Sequence, residues 1–483
     1  MLARLRVLAS DSLIYGVSGI LTRFLSVWLV PIYTRLFSPE DYGVLSLVAS
    51  TFAVVAVFAV LALDNSAARW YWDTDDTSDR KRTIVSGALC QLAVASGLGL
   101  AMFLAGDFLA SLIVQRSDAG KYFRLLALTL PLNQLSIVVS GWLRMQRRPV
   151  ATTVFMLGSS VLQIGLTLLF VVGWRWGLTG IYVAQVVQLA VSAIVAVVLL
   201  GDWIDPRRFD WTRLRGMLTF ALPLIPSALA VWIVSFADRY FVQLFASTAE
   251  VGLFSLGSAL AQGMLLLTGA FQLAWGPFAL SIHKEADAKR TYAQAFLIYI
   301  AATSFLASAL SLFAPEVIRL LATEKFIGAA SVVGLLALSY VMIGLGYIAA
   351  TGPAVMKVTA PIGIAITAAA VLNVLLNFLL VPRYGKMGAA AATLAAQSLG
   401  PLVLFWRSQR IYPVPYRFGA GMAFLSLSLA LVVIGLAFPL QGLTGIVFKL
   451  LLLALYLPLL FALELLTPAR ARAMLVYVRS RAS

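Results

Sequence analysis

The 483-residue chain has one cysteine and one histidine, and only 12% of its residues are charged. With Cys90 alone, neither an intramolecular disulfide framework nor a thiolate metal cluster can form. A lone His283 likewise excludes a histidine-rich metal site. The shortage of charge says more. Soluble domains carry roughly 25% charged and about 45–50% apolar residues. Here the apolar share is 61% and the mean hydropathy is +0.95. Acids are scarcer than bases, 20 against 36, for a net charge of +16. That balance can mark a nucleic-acid partner, but little soluble surface is left to carry such a face. No G-x-x-x-x-G-K-[ST] run is present, so ATP hydrolysis by this chain is not expected. The composition is that of a polytopic membrane protein that needs no metal or other cofactor.

A helix crosses the hydrocarbon core with about 20 apolar residues. Runs of that kind fall near 12–34, 42–64, 83–106, 122–143, 150–173, 177–200, 216–241, 251–275, 291–314, 327–350, 358–381, 386–406, 417–438 and 446–466. Fourteen spans leave only short connections, with no room for a soluble domain. The first run carries Arg23 in its middle and lacks a small-residue cleavage site, unlike a cleaved signal peptide. Basic residues set the orientation. With the N-terminus inside, 24 of the 36 lie on the cytoplasmic side and 11 outside, and Arg23 sits within the first span. Both ends are basic, so both termini are expected in the cytoplasm.

The chain also repeats itself. Ser38-Pro-Glu-Asp41-Tyr-Gly43-Val-Leu-Ser46 is echoed by Ser247-Thr-Ala-Glu250-Val-Gly252-Leu-Phe-Ser255, and Trp174-Arg-Trp-Gly177-x-x-Gly180 by Pro382-Arg-Tyr-Gly385-x-x-Gly388. Between these anchors Gln163 and Thr167 correspond to Asn373 and Asn377. An even number of spans per copy makes the repeats parallel, with an axis along the membrane normal. The expected architecture is all-α: two six-helix lobes related by a pseudo-twofold, plus two extra C-terminal helices. The lobes would cover residues 1–200 and 216–410, joined by a basic cytoplasmic linker at 201–215. Residues 411–483 hold the last two spans and a basic tail. Pro223 and Pro226 should interrupt the seventh span.

Several motifs have a bland reading that is the better one. Ser-x-x-Asp/Glu is a helix capping box, and Pro39 suits the first helical position. Glu40 and Asp41 could instead be a catalytic acid pair, but the second copy has no second acid. Asp73-Thr-Asp75-Asp76 has the D-x-D spacing of metal-binding sugar transferases. With Arg80-Lys81-Arg82 close behind, it reads as a solvated, self-neutralising loop. Cys90 and His283 read as incidental.

Charge within a span costs at least about 2.5–3.5 kcal/mol, so it usually faces a cavity or a partner. Arg23 stands about 18 Å along the helix from Asp11, at 1.5 Å per residue. It is the one basic residue that reads as deeply buried. A midplane guanidinium suits a phosphate-bearing substrate. Arg144 and Arg239 are further candidates for substrate contact, and Asp238 and Asp64 for coupling or ion pairing. Arg69 and Lys357 read as snorkelling or rim-paired. Gln163, Asn373 and Asn377 suit helix–helix hydrogen bonds better than sugar contacts.

The run Pro31-Ile-Tyr-Thr-Arg-Leu-Phe-Ser-Pro-Glu-Asp-Tyr-Gly43 resembles the signature at the end of the first span in polysaccharide-biosynthesis flippases, the O-antigen and capsule branch of the multidrug/oligosaccharidyl-lipid/polysaccharide exporter superfamily. Asp238-Arg239 before Val251-Gly252-Leu-Phe-Ser255, and Asn373-x-x-x-Asn377 before Pro382-Arg-Tyr-Gly385-x-x-Gly388, are similar to its later landmarks. The likeness runs over about residues 10–400. It implies a flippase of the bacterial inner membrane that moves an undecaprenyl-pyrophosphate-linked oligosaccharide outward by alternating access. Partners implied are that lipid-linked substrate, membrane lipids, H+ or Na+ as coupling ion, and a polysaccharide polymerase with its chain-length machinery; nucleic acid is not among them. The family's cationic lumen would correspond here to Arg23, with Arg144 and Arg239. Rivals are a lipid II or multidrug exporter of the same superfamily. A membrane polymerase or glycosyltransferase stands further off, because the longest external connection, 107–121, has few charges.

Overall fold

The computed structural model describes residues 29–463, apart from 359, 439 and 441. Every regular element among the described residues is helical. With so few charges and so many Leu, Val and Ala runs, the backbone must satisfy its hydrogen bonds within each segment if it is to sit in lipid. The helices of seven or more residues, in order, are α1 Leu29–Leu36, α2 Pro39–Val60, α3 Leu63–Tyr71, α4 Thr77–Leu104, α5 Gly120–Met145, α6 Pro149–Thr167, α7 Gly177–Leu200, α8 Trp211–Ala221, α9 Ile225–Phe245 and α10 Thr248–Ala261. They continue with α11 Met264–Ile282, α12 Ala288–Leu312, α13 Ala314–Leu321, α14 Ala330–Ala349, α15 Ala360–Ile411, α16 Phe418–Ala437, α17 Gly442–Ala454 and α18 Tyr456–Ala462.

Twelve helical stretches among the described residues are long and apolar enough to cross a membrane. Two features account for the difference from the fourteen expected runs. The first run, 12–34, lies mostly outside the described residues. The runs 358–381 and 386–406 form one continuous element, α15, broken only at Gly385 with φ 52° and ψ −134°. That backbone conformation excludes a side chain, so a glycine is needed there. The run 251–275 is split into α10 and α11 by the Gln262-Gly263 pair. The seventh run is also divided, as its prolines require: a 3-10 turn at Leu222–Leu224 separates α8 from α9.

The distribution of side chains is the reverse of a soluble protein's. Leu104, Val198 and Leu443 are 74%, 75% and 77% exposed, whereas Gln91, Gln134, Thr167, Asn373 and Asn377 are buried. Exposed apolar surface on this scale calls for lipid. Exposed tryptophans mark two levels, with Trp72 and Trp211 on one side of the spans and Trp174 and Trp176 on the other. Such residues favour the membrane–water interface. This is a multi-pass membrane protein.

By contact the chain divides into two compact units, the first ending at Ser255 and the second starting at Leu256. In the first, α4, α5 and α7 pack side by side, with α6 against α7. The segment between α7 and α8 is strapped to the same unit: Lys81 pairs with Asp202 and Arg213 with Asp79, while Trp203 stacks on Tyr71. Asp210 caps α8 by accepting from the Arg213 amide at 3.0 Å. In the second unit, α14 packs against α12 and α15, and α16 lies on α12. Phe296, Phe405, Tyr416 and Phe418 form an edge-to-face aromatic cluster there.

Candidate functional site: a helix crossing and a polar pocket in the first unit

The repeated motif is a capping box, as its spacing predicts. Ser38 Oγ accepts from the Asp41 amide at 3.1 Å, and the Asp41 carboxylate accepts from the Ser38 amide at 3.1 Å. In the second copy, Ser247 Oγ accepts from the Glu250 amide at 3.2 Å. Arg116 lies 3.2 Å from Glu40 and 4.0 Å from Asp41, so neither acid has the setting of a catalytic pair.

The motif also does something its sequence does not announce: its two copies pack on each other. A Cβ at Gly43 would run into the Thr248 carbonyl, and one at Gly252 into the Pro39 carbonyl. Thr248 is the repeat equivalent of Pro39, so the two contacts are reciprocal. Ser46 and Ser255, equivalent positions of the two copies, meet directly, with Ser255 Oγ donating to Ser46 Oγ at 2.6 Å. Small residues let two helix backbones approach this closely. Arg239 completes the crossing. Its Nε donates to Ser46 Oγ at 2.9 Å and its Nη1 to the Ser235 carbonyl at 2.8 Å, with the guanidinium 5.1 Å from the Phe236 ring centre. Arg239 and its neighbour Asp238 are only 6% and 2% exposed. The structure thus sets Arg239 in a helix crossing.

At the other end of the second span, α2 stops at Val60 and α3 starts at Leu63. Leu61 and Ala62 between them both take φ 52°, the left-handed region. Two consecutive non-glycine residues there are uncommon and cost about 1–2 kcal/mol each. The break is held by α8, since Leu61 and Ala62 pack on a cluster of Leu63, Leu214, Met217 and Ala221, and Ser66 Oγ donates to the Met217 carbonyl at 2.9 Å. Breaking the helix frees carbonyls, and Gln91 Nε2 donates to that of Val60 at 2.9 Å. Beside the break a cavity of about 280 Å³ opens between α3, α4 and α5, lined by Asp64, Asn65, Gln91 and Arg144 among aliphatic and small residues. Irregular backbone at membrane depth is tolerated where it is buried in protein or lines a cavity.

The site residues expected from sequence therefore separate. Asp64 and Arg144 share the pocket; Asp238 and Arg239 are at the crossing; Arg23 lies outside the described residues. Gln163 and Thr167 bond to one another along their own helix at 3.0 Å, as Asn377 and Asn373 do at 3.1 Å. The acidic loop neutralises itself. Asp76 caps α4, Asp75 accepts from Arg80 at 2.9 Å, and Asp73 pairs with Arg69. Among the described residues, His283 bonds to the nearby Leu280 carbonyl, and Cys90 is a free, half-buried thiol. Among the described residues, no group of three His, Cys, Asp or Glu could hold a metal ion.

Sequence reasoning missed Lys449, counted there with the outer connections and in fact 4% exposed inside α17, bonded to Glu316 of α13 at 2.5 Å. Among the described residues the buried bases are Lys449 and Arg239. The signal was available, as a lysine inside an otherwise apolar helix. The pocket was not legible in the same way, because Asn65 and Gln91 are ordinary polar residues until the break brings them together.

A sequence model of the family described as polysaccharide biosynthesis protein matches residues 8–283. Among curated proteins, none matches the chain. The fold is similar to that of a solved structure titled lipid II flippase MurJ in an inward closed conformation: TM-score 0.72 at 14% identity, covering 94% of this chain and 100% of that one. It is also similar to an inward-facing multidrug resistance MATE family transporter of the MOP superfamily, with TM-score 0.65 and 19% identity over 80% of this chain and 94% of that one. A further MATE structure, in complex with MaL6, has TM-score 0.60 at 17% identity, covering 84% and 95%.

Proposed function

The chain belongs to the polysaccharide biosynthesis protein family, and from that premise we propose that it is a flippase for polyprenyl-pyrophosphate-linked oligosaccharides in the bacterial inner membrane. The observation that carries this reading is the pairing of a polysaccharide-building family with a transporter fold. A polysaccharide assembled on a lipid carrier has one step that needs transport and no bond chemistry: taking the sugar head through the hydrocarbon layer. The sugar cannot cross unaided, because every hydroxyl stripped of water without a partner costs several kcal/mol. A protein with polar groups between its helices lowers that cost while the polyprenyl tail stays in lipid.

In this reading the lobes are residues 1–200 and 216–410, linked by 201–215, with the last helices in 411–483. Both termini are cytoplasmic. The Gly43–Gly252 crossing then lies toward the periplasm and the Asp64–Arg144 pocket toward the cytoplasm. Arg23 in the first span meets the pyrophosphate. Asp238, buried beside Arg239, serves as the group whose protonation or cation binding couples transport to an ion gradient. Product passes to a polymerase on the far side.

The test is replacement in a strain whose own oligosaccharide flippase is deleted. The wild-type chain restores surface polymer, and Arg23→Ala abolishes it while the protein still accumulates in the membrane. Normal polymer with Arg23→Ala ends the role of Arg23. If depletion in the native host causes lysis with accumulation of peptidoglycan precursor, the lipid II reading replaces this one.

A further inference from the structure

Resting on the flippase reading, we propose that the pocket at the break between α2 and α3 is a monosaccharide subsite that holds one ring of the substrate's sugar head. Size is the first argument. At about 280 Å³, the cavity is roughly nine times the ~30 Å³ share of one water molecule in the liquid. A dehydrated monovalent ion would be lost in it, whereas a single pyranose ring is of the right order. The room comes from small residues: a Cβ at Gly141 would meet nothing nearer than Met145 Cε at 4.0 Å.

Chemistry is the second argument. A sugar ring is neutral and presents donors and acceptors together around its edge, with C–H faces between them. The lining matches that pattern. The Asp64 carboxylate only accepts, the Arg144 guanidinium only donates, and the Asn65 and Gln91 amides do both, all set among aliphatic side chains. A phosphate would be repelled by Asp64, and an apolar drug would make no use of the donors and acceptors at the mouth of the pocket.

The third argument is what lies deeper on the same helix. Gln134 stands three and four residues before the lining residues Ile137 and Val138 on α5, just outside the lining itself, and it is 1% exposed. Neither atom of its amide has a hydrogen-bond partner among the described residues. A buried amide left unpaired costs about 1–3 kcal/mol, which is tolerable where a ligand supplies the missing bonds. The strained left-handed pair Leu61-Ala62 at the pocket edge is the kind of backbone feature that clusters at ligand sites.

The experiment measures binding by purified protein in nanodiscs to two lipids: undecaprenyl pyrophosphate bearing the strain's oligosaccharide, and undecaprenyl pyrophosphate without sugar. The wild-type chain should bind the sugar-bearing lipid at least about tenfold more tightly, the size of one or two good hydrogen bonds. Gly141→Val fills the pocket; it should bind the sugarless lipid as wild type does and lose most of the preference. Asn65→Ala, at an exposed position, gives a smaller loss in the same direction. Gly158→Val, on an exposed helix face with no atom within 4 Å of its Cβ, should keep the full preference. Retention of the tenfold preference in both Gly141→Val and Asn65→Ala overturns the subsite and leaves the flippase reading intact. A wild-type chain that binds neither lipid overturns the flippase reading itself.

Discussion

Among the described residues, the buried bases Arg239 and Lys449 each bond to a neighbouring helix. Arg239 donates to Ser46 and to the Ser235 carbonyl. Lys449 reaches Glu316, whose second oxygen is buried with no partner among the described residues. Breaking a buried pair from one side leaves an uncompensated charge and costs about 3–5 kcal/mol, whereas removing both charges is often close to neutral. Lys449→Met should therefore lower thermal stability in detergent by an amount on the order of 3 kcal/mol. Adding Glu316→Leu should recover most of it. Equal destabilisation by the double variant would show that the pair contributes packing rather than charge compensation.

At the scale of elements, the second span carries both features that matter. Its N-terminal end bears the capping box and the glycine crossing, and its interior ends at two left-handed residues. Relieving one of them should stabilise the fold: Ala62→Gly removes a steric cost of about 1–2 kcal/mol, less the entropy glycine adds to the unfolded chain. A net rise in melting temperature is expected, and a fall would mean that the Ala62 methyl packs better than its backbone is strained. The crossing gives a second test. Ser46 and Ser255 hold their hydroxyl oxygens 2.6 Å apart, in direct side-chain contact. In a Cys90→Ser background, Ser46→Cys with Ser255→Cys should oxidise readily and stop polymer export, and reductant should restore it. Full export from the cross-linked protein would show that this contact stays closed throughout the cycle.

For the whole molecule, basic residues and aromatic belts set how the chain sits in its membrane. With 24 of the 36 basic residues on one side, alkaline phosphatase fused after Arg116 should be active in the periplasm, and fused after Arg213 inactive. The opposite pattern would invert the sidedness assigned to the pocket and the crossing. The helical spans were readable beforehand, because apolar run length is a one-dimensional property. The split of the seventh span at Pro223 was also readable, since proline removes a hydrogen bond wherever it falls. The break at Leu61-Ala62 was not, because neither residue prefers the left-handed region. It is stabilised by α8, about 150 residues later in the chain.

The sequence alone settled the solvent and the helical class, because hydrocarbon admits so few backbone solutions that apolar length almost dictates structure. It also settled the capping box, whose partners are three residues apart. Only the tertiary structure decided that Gly43 faces Thr248, that Lys449 is buried against Glu316, and that Asp64, Asn65, Gln91 and Arg144 share one cavity. Those relations join residues tens to hundreds of positions apart. They depend on where helices cross and break, which is set by packing between segments and is written in no single segment.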